Sequence, residues 1–370
     1  MRTGRFSLLS VLAVVFAWLA VPLLAKLAEV GGENGDNVWA YSIGSDGALQ
    51  PIAGSPFAAG SKPNSVAVDC RAKFVYVANG GGSNNVSAYS IASNGALTPV
   101  PGSPFAAGSL PSSVVVSPTS KFVYVVNESG SNISAYAIGS NGALTPIPGS
   151  PFATGTDPHE MAIDPAVKFA YVANEVDNNL SGYKISSDGA LTPIPGSPFA
   201  AGSFPVSVVV DTMGRFVYVA NQASNNVSAY KIGSDGVLTP VPGSPFGAGI
   251  GPFSITLDRT AKFAYVVNEG GNNISAYTVG SDGALITIRS SPFAAGGDPH
   301  KIALDPTARF AYVANEVSND VSAYRIGADG ALTPIPGSPF IGGIGPYAVA
   351  VDPTGKFVYV ANRGSPYPER

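Results

Sequence analysis

Apolar and polar residues alternate along this chain in short runs, and the runs recur. Phe-x-Tyr-Val-x-Asn begins at Phe74, Phe122, Phe169, Phe216, Phe263, Phe310 and Phe357, spaced by 48 and then by 47 residues. A second run, apolar-x-(Ala/Gly)-Tyr-x-(Ile/Val), begins at Val38, Val86, Ile133, Leu180, Val227, Ile274 and Val321. A third, Ser-Pro-Phe, ends at Phe57, Phe105, Phe152, Phe199, Phe246, Phe293 and Phe340. The fourth follows a proline: Ser65–Asp69, Ser113–Ser117, Glu160–Asp164, Ser207–Asp211, Ser254–Asp258, Lys301–Asp305 and Ala348–Asp352. These segments are short, β-branched and aromatic, and turn residues bound them, so they predict strands. Asp-Gly or Asn-Gly between the second and third runs, as at Asp188-Gly189 and Asn94-Gly95, predicts hairpins.

Four antiparallel strands per period of about 47 residues predict an all-β fold, a seven-bladed β-propeller, rather than a helical solenoid. Prolines gather in the last strand of each period, as in Thr192-Pro193-Ile194-Pro195. A missing amide donor is tolerated there if that strand is the outer edge. The order of segments sets closure. The repeats open with strands three and four (residues 38–57) and end with strands one and two (residues 348–362). Neither end makes a blade alone, so the seventh blade is expected to pair N-terminal strands with C-terminal ones. A linear array would leave exposed sheet edges.

The first residues break the pattern. Arg2 and Arg5 precede an uncharged, mostly apolar run from Phe6 to Ala25, which predicts an export signal or an anchor of spanning length. No good small-x-small site follows, since Leu23 stands before Ala25 and Lys26 before Ala28, and cleavage and anchoring both stay open. The expected organisation is a signal peptide or membrane anchor over 1–25, a linker over 26–36, the propeller over 37–363 and a tail over 364–370. An extracytoplasmic location follows for the propeller, with membrane contact only through the N-terminal segment.

Composition narrows the partners. Charged residues are only 12% of the chain and the net charge is −4. With no basic tract, nucleic acid is excluded as an expected partner. A single cysteine, Cys70, excludes an intrachain disulfide and a Cys-rich metal site. It is expected in the turn between strands one and two, on the face away from the histidines, as a bystander. The Asn-x-Ser sequences at Asn85, Asn132, Asn179, Asn226 and Asn273 match a glycosylation acceptor, but their recurrence at the entry to strand three is expected to reflect a turn preference.

What differs between copies is where function should lie. Residues just after the strand-one proline and just after the strand-two Asn share one rim of the ring. The first set reads Asn64, Ser112, His159, Val206, Phe253, His300, Tyr347, and the second Gly80, Glu128, Glu175, Gln222, Glu269, Glu316, Arg363. Both histidines stand on this rim, each in Asp-Pro-His. An evenly paired hairpin puts His159 opposite Glu175 and His300 opposite Glu316. A carboxylate that orients an imidazole equips it for general acid–base work. Equally, two blades duplicated together would carry the same decoration with no chemistry. The four glutamates and two histidines could hold a divalent cation, but solvated carboxylates are the expectation, with no metal and no cofactor.

Tyr-Val-Ala-Asn-Glu and Gly-Ala-Leu-Thr-Pro-Ile-Pro-Gly-Ser-Pro-Phe resemble the lactonase-type propellers, which include 6-phosphogluconolactonase of the propeller kind and fungal carboxymuconate cyclase. The resemblance spans about Asn37 to Arg363. It implies lactone opening or closure at one end of the channel by a histidine, a glutamate and arginines. Asp157-Pro158-His159 with Asn174-Glu175, and likewise His300 with Glu316, match the histidine and glutamate motifs. Asn362-Arg363-Gly364 resembles an arginine motif, whereas Arg215 and Arg309 fall at the far end of strand two. Two functions follow as expectations. The first is a monomeric exported binding or scaffold module, taking a small molecule, glycan or peptide at its rim. The second is a lactone hydrolase using a rim His–Glu pair. The acidic rim with its single arginine, a poor match to an anionic lactone, favours the first.

Overall fold

The computed structural model describes residues 35–364, and every described element is a β-strand. The apolar run at Phe6–Ala25 and the tail beyond Gly364 lie outside the described residues. Seven sheets stand in a ring. Numbered from the first complete one, blades 1 to 6 cover residues 63–106, 111–153, 158–200, 205–247, 252–294 and 299–341. Blade 7 joins Pro346–Val351 and Phe357–Asn362 to Asn37–Ile43, Leu49–Pro51 and Phe57–Ala58. The closing register runs from Asn37 opposite Asn362 to Ser42 opposite Phe357. The expected closure is therefore present, strand for strand.

One detail departs from four strands per blade. The outer edge is split: Leu191–Pro193 pairs with one end of Asn179–Ile185, and the two-residue strand Phe199–Ala200 pairs with the other. Prolines interrupt the edge, and a turn at Pro195–Gly196 separates the two pieces, which run in the same direction.

Burial explains the residue choice. The second strand of a blade, such as Phe216–Asn221, is buried throughout because neighbouring blades cover both of its faces. The outer Leu238–Pro240 buries only its leucine. The core consists of the interfaces between blades: Tyr171 and Ala173 of blade 3 pack with Val217 and Val219 of blade 4, and Val38 and Tyr359 of blade 7 with Val75 and Val77 of blade 1. Hydrogen bonds lace the same interfaces. The Tyr124 hydroxyl donates to the Gly189 carbonyl of the next blade at 2.8 Å, and the Tyr136 hydroxyl donates back to Ala106 of the preceding one. At the seam Tyr312 reaches Gly47, Tyr359 reaches Gly95 and Tyr41 reaches Ile341. The hairpin glycine is required twice over at Gly95. Its φ is +85°, and a β-carbon there would sit 2.5 Å from the Phe357 ring.

The Asn-x-Ser recurrence has a structural cause beyond turn preference. Asn174, fully buried at the end of its strand, donates to Asn179 Oδ1 at 2.7 Å and to Ser181 Oγ at 2.9 Å. Its Oδ1 accepts from the Gly155 amide at 3.2 Å. One side chain thus ties strand two, strand three and the loop leading to the rim.

Candidate functional site

The rim is shaped by a β-bulge at each strand-one entry. Pro158 pairs with Asn174, but Glu160 pairs with Ala173, which leaves His159 as the extra residue. The same shift makes His300 the extra residue between Pro299 and Lys301. A bulge re-aims a side chain, and here both imidazoles turn into the channel. The even pairing expected from the sequence is therefore corrected by two residues: the backbone partner of Glu175 is Asp157 rather than His159, and that of Glu316 is Asp298 rather than His300.

The two histidines then part company. At blades 1 to 3 the rim side chain donates to the next blade: Asn64 Nδ2 to the Pro111 carbonyl at 2.8 Å, Ser112 Oγ to the Pro158 carbonyl at 3.1 Å, and His159 Nδ1 to the Val206 carbonyl at 2.8 Å. Because a carbonyl only accepts, Nδ1 carries the proton. Among the described residues no hydrogen bond to Nε2 occurs, and no hydrogen bond or ion pair links His159 to Glu175. His159 is enclosed yet borders a small central pocket that Glu160, Phe253, Lys301 and Tyr347 also line. Burial, helped by the Lys301 and Arg363 charges and opposed by Glu160, pushes its pKa down to about 4. At neutral pH it is an uncharged imidazole with a free lone pair.

His300 is only 5% exposed. Its Nε2 lies 2.6 Å from Glu316 Oε2 and 3.8 Å from Asp298 Oδ2, so His300 and Glu316 do come together. The carboxylate oxygens stand out of line with the N–H, and neither ring nitrogen has a partner of hydrogen-bond geometry. Burial alone would lower the pKa, but Asp298, Glu316 and the charge of Glu269 outweigh it and hold it above the ordinary value.

An aromatic array joins the two. The Phe253 ring meets His159 edge-on at 5.3 Å and His300 edge-on at 4.6 Å. Tyr347 lies 4.3 Å from His300, and the Arg363 guanidinium sits 4.0 Å above the Tyr347 ring. Burial raises the Tyr347 hydroxyl well above its usual range, so it stays protonated. Three of the rim glutamates are raised too. Burial, with Asp157 and Glu175, lifts Glu128 to about 7 against the pull of Arg363. Burial first and then neighbouring carboxylates raise Glu175 and Glu269, and Gln222 donates to Glu269 at 2.8 Å.

One feature of the site goes beyond the expected His–Glu pairs. Lys301 of blade 6 and Glu160 of blade 3 form an ion pair straight across the channel. A signal was available. Two positions after the strand-one proline the other blades carry only Ser or Ala, at Ser65, Ser113, Ser207, Ser254 and Ala348. Opposite charges in two blades three apart in the ring stand out against that background. Cys70 lies in an exposed turn, its thiol accepting from Ser120 Oγ at 2.9 Å.

The model of the family described as Lactonase, 7-bladed beta-propeller, matches residues 60–249 and 248–367. No curated protein matches the sequence. Among solved structures, a candidate 6-phosphogluconolactonase of Bacteroides fragilis is 20% identical with a TM-score of 0.72, over 86% of this chain and 98% of its own. The periplasmic gluconolactonase of Pseudomonas aeruginosa is 16% identical with a TM-score of 0.67, over 82% and 97%. Virginiamycin B lyase of Staphylococcus aureus is 14% identical with a TM-score of 0.56, over 88% and 98%. At these identities the likeness establishes the fold.

Proposed function

This chain belongs to the seven-bladed β-propeller lactonase family, and from that premise we propose that it hydrolyses a lactone at the channel mouth. The observation that carries the reading is the His159 Nδ1–Val206 carbonyl bond of 2.8 Å. It fixes the tautomer and leaves Nε2 as a lone pair beside the central pocket. In this reading Nε2 takes a proton from water as the oxygen attacks the lactone carbonyl. The Arg363 guanidinium, held on Tyr347, stabilises the oxyanion. Collapse breaks the ring C–O bond, and the departing oxygen recovers the proton from the imidazolium, giving the hydroxy acid. His300 is the poorer base, since Glu316 and Asp298 crowd its Nε2. Glu175 acts on the rim charge rather than on His159.

Charge favours an uncharged lactone over a phosphorylated one. Glu128, Glu175, Glu269 and Glu316 surround the mouth, Arg363 is the one family-matching rim cation, and Glu160 already engages Lys301. A gluconolactone-like substrate fits this balance. We extend the proposal to an extracytoplasmic location on the strength of Arg2, Arg5 and the run at Phe6–Ala25. The membership and the His159 geometry favour the hydrolase over a pure binding module.

The test is a panel of neutral and phosphorylated sugar lactones, followed against their spontaneous rates with the parent chain and His159→Ala. The variant should lose about a hundredfold to ten-thousandfold in kcat while melting like the parent. A parent with no rate above background, or a fully active variant, would overturn the reading.

A further inference from the structure

Blades 3 and 6 carry the same rim residues, Asp-Pro-His before the bulge and Glu after the strand-two Asn, yet only blade 6 gathers them into a cluster. One donor atom from each of Glu269, Asp298 and His300 lies within 4.8 Å of the others. Glu316 Oε2 adds a fourth at 2.6 Å from His300 Nε2. The imidazole at the centre is 95% buried, being 5% exposed, and neither of its nitrogens has a partner of hydrogen-bond geometry. Three carboxylates converge on it from two blades, Glu269 from blade 5 and the rest from blade 6.

That arrangement is costly as it stands. With all three carboxylates ionised, even a protonated His300 leaves the cluster two negative charges in excess in a half-buried setting, and buried charge without compensation is strongly unfavourable. No lysine or arginine bridges the three carboxylates among the described ion pairs. A divalent cation would neutralise the excess. Donor atoms around a small transition ion bound at about 2.0–2.2 Å lie roughly 3 Å apart. The contacts of 2.6 and 3.8 Å from His300 Nε2 bracket that spacing, so modest rotations of the side chains would complete a shell. One imidazole nitrogen with carboxylate oxygens suits Zn²⁺ or Mn²⁺ better than Mg²⁺ or Ca²⁺, which take oxygen alone.

We propose that Glu269, Asp298, His300 and Glu316 form a binding site for one divalent transition-metal ion on the rim, beside Phe253 and apart from His159. The site does not depend on the lactonase reading, because binding needs no substrate. In blade 3, by contrast, His159 is turned onto the Val206 carbonyl and Glu175 is left without it.

The experiment is calorimetric titration of the chelator-stripped, dialysed full chain with ZnCl₂ and MnCl₂, with Mn²⁺ electron paramagnetic resonance as a second readout. One ion per chain is expected. His300→Ala and Glu269→Gln should each weaken binding about tenfold to a hundredfold, and Glu175→Gln, the matching carboxylate of blade 3, should leave it unchanged. Glu269 is at the rim, so its variant tests the site even if His300→Ala melts early. The absence of saturable binding overturns the proposal. So does binding that ignores both substitutions, or a preference for Ca²⁺ or Mg²⁺. Metal binding by a chain that opens no lactone sustains this site and rejects the other reading.

Discussion

The Tyr312 hydroxyl donates to the Gly47 carbonyl at 2.9 Å, joining residues 265 positions apart in the chain. Gly47 sits in the first hairpin and Tyr312 in the sixth blade, so this bond crosses the seam where the ring closes. Tyr41 returns the contact to the Ile341 carbonyl. Here Tyr41 and Leu49 of blade 7 pack with Phe310, Tyr312 and Ile335 of blade 6, all buried. The seam is thus an interblade interface like the others, though its halves come from opposite ends of the sequence.

Deleting residues 1–60 should therefore unseat the whole ring. At about 1.5–3 kcal/mol per large buried side chain, the lost strand removes more than about 5 kcal/mol and exposes two sheet edges. Thermal melting of that chain should fall far below one starting at Gly32. Tyr312→Phe, which removes only the hydroxyl, should cost about 1–2 kcal/mol. Equal melting of the two truncations would mean that the seam contributes nothing.

The repeat made most of this architecture legible. A tyrosine, an asparagine and an Asn-Gly or Asp-Gly at fixed offsets specify blade, bracket and hairpin, because each makes its contact within one period or with the next blade. The site was only half legible for a matching reason. Rim positions follow from strand order, and His159, Glu175, His300, Glu316 and Arg363 do share one rim. Their pairing did not follow, because a one-residue bulge at Pro158–Glu160 moves the imidazole out of the even register. Nor could periodicity separate His159 from His300. What differs is the neighbour at the next blade, Val206 with its carbonyl for one and the Tyr347 ring for the other.

Glu128 offers a test of the rim electrostatics. Burial and the Asp157 and Glu175 charges lift its pKa to about 7, whereas an unfolded glutamate titrates near 4.3. Between those values the folded chain holds a proton that the unfolded chain has released, so stability is lost as pH rises through the window. Glu128→Gln keeps the neutral form at every pH. It should match the parent at pH 4 and exceed it at pH 8 by about 1 kcal/mol, a figure reduced because the group is partly solvated. Melting at the two pH values decides it, and a variant no more stable than the parent at pH 8 would show that the carboxylate is not destabilised there.

The channel-crossing pair gives a sharper test of His159. Its pKa of about 4 is set by burial, with Glu160 raising it and Lys301 lowering it. If neutral His159 is the base, activity should be flat from pH 8 to about pH 5 and then fall, half-lost near pH 4, as the imidazole protonates. A histidine at its ordinary value would already be failing near pH 6.5. Lys301→Met removes a repelling cation and should move the acid limb to higher pH. Glu160→Gln removes an attracting anion and should move it to lower pH. Opposite displacements from two residues that face each other in one ion pair cannot come from a general loss of stability, which would shift both in the same sense. The pH profile of kcat/KM in the two variants is the measurement. An acid limb that stays in place in both would remove His159 from the reaction.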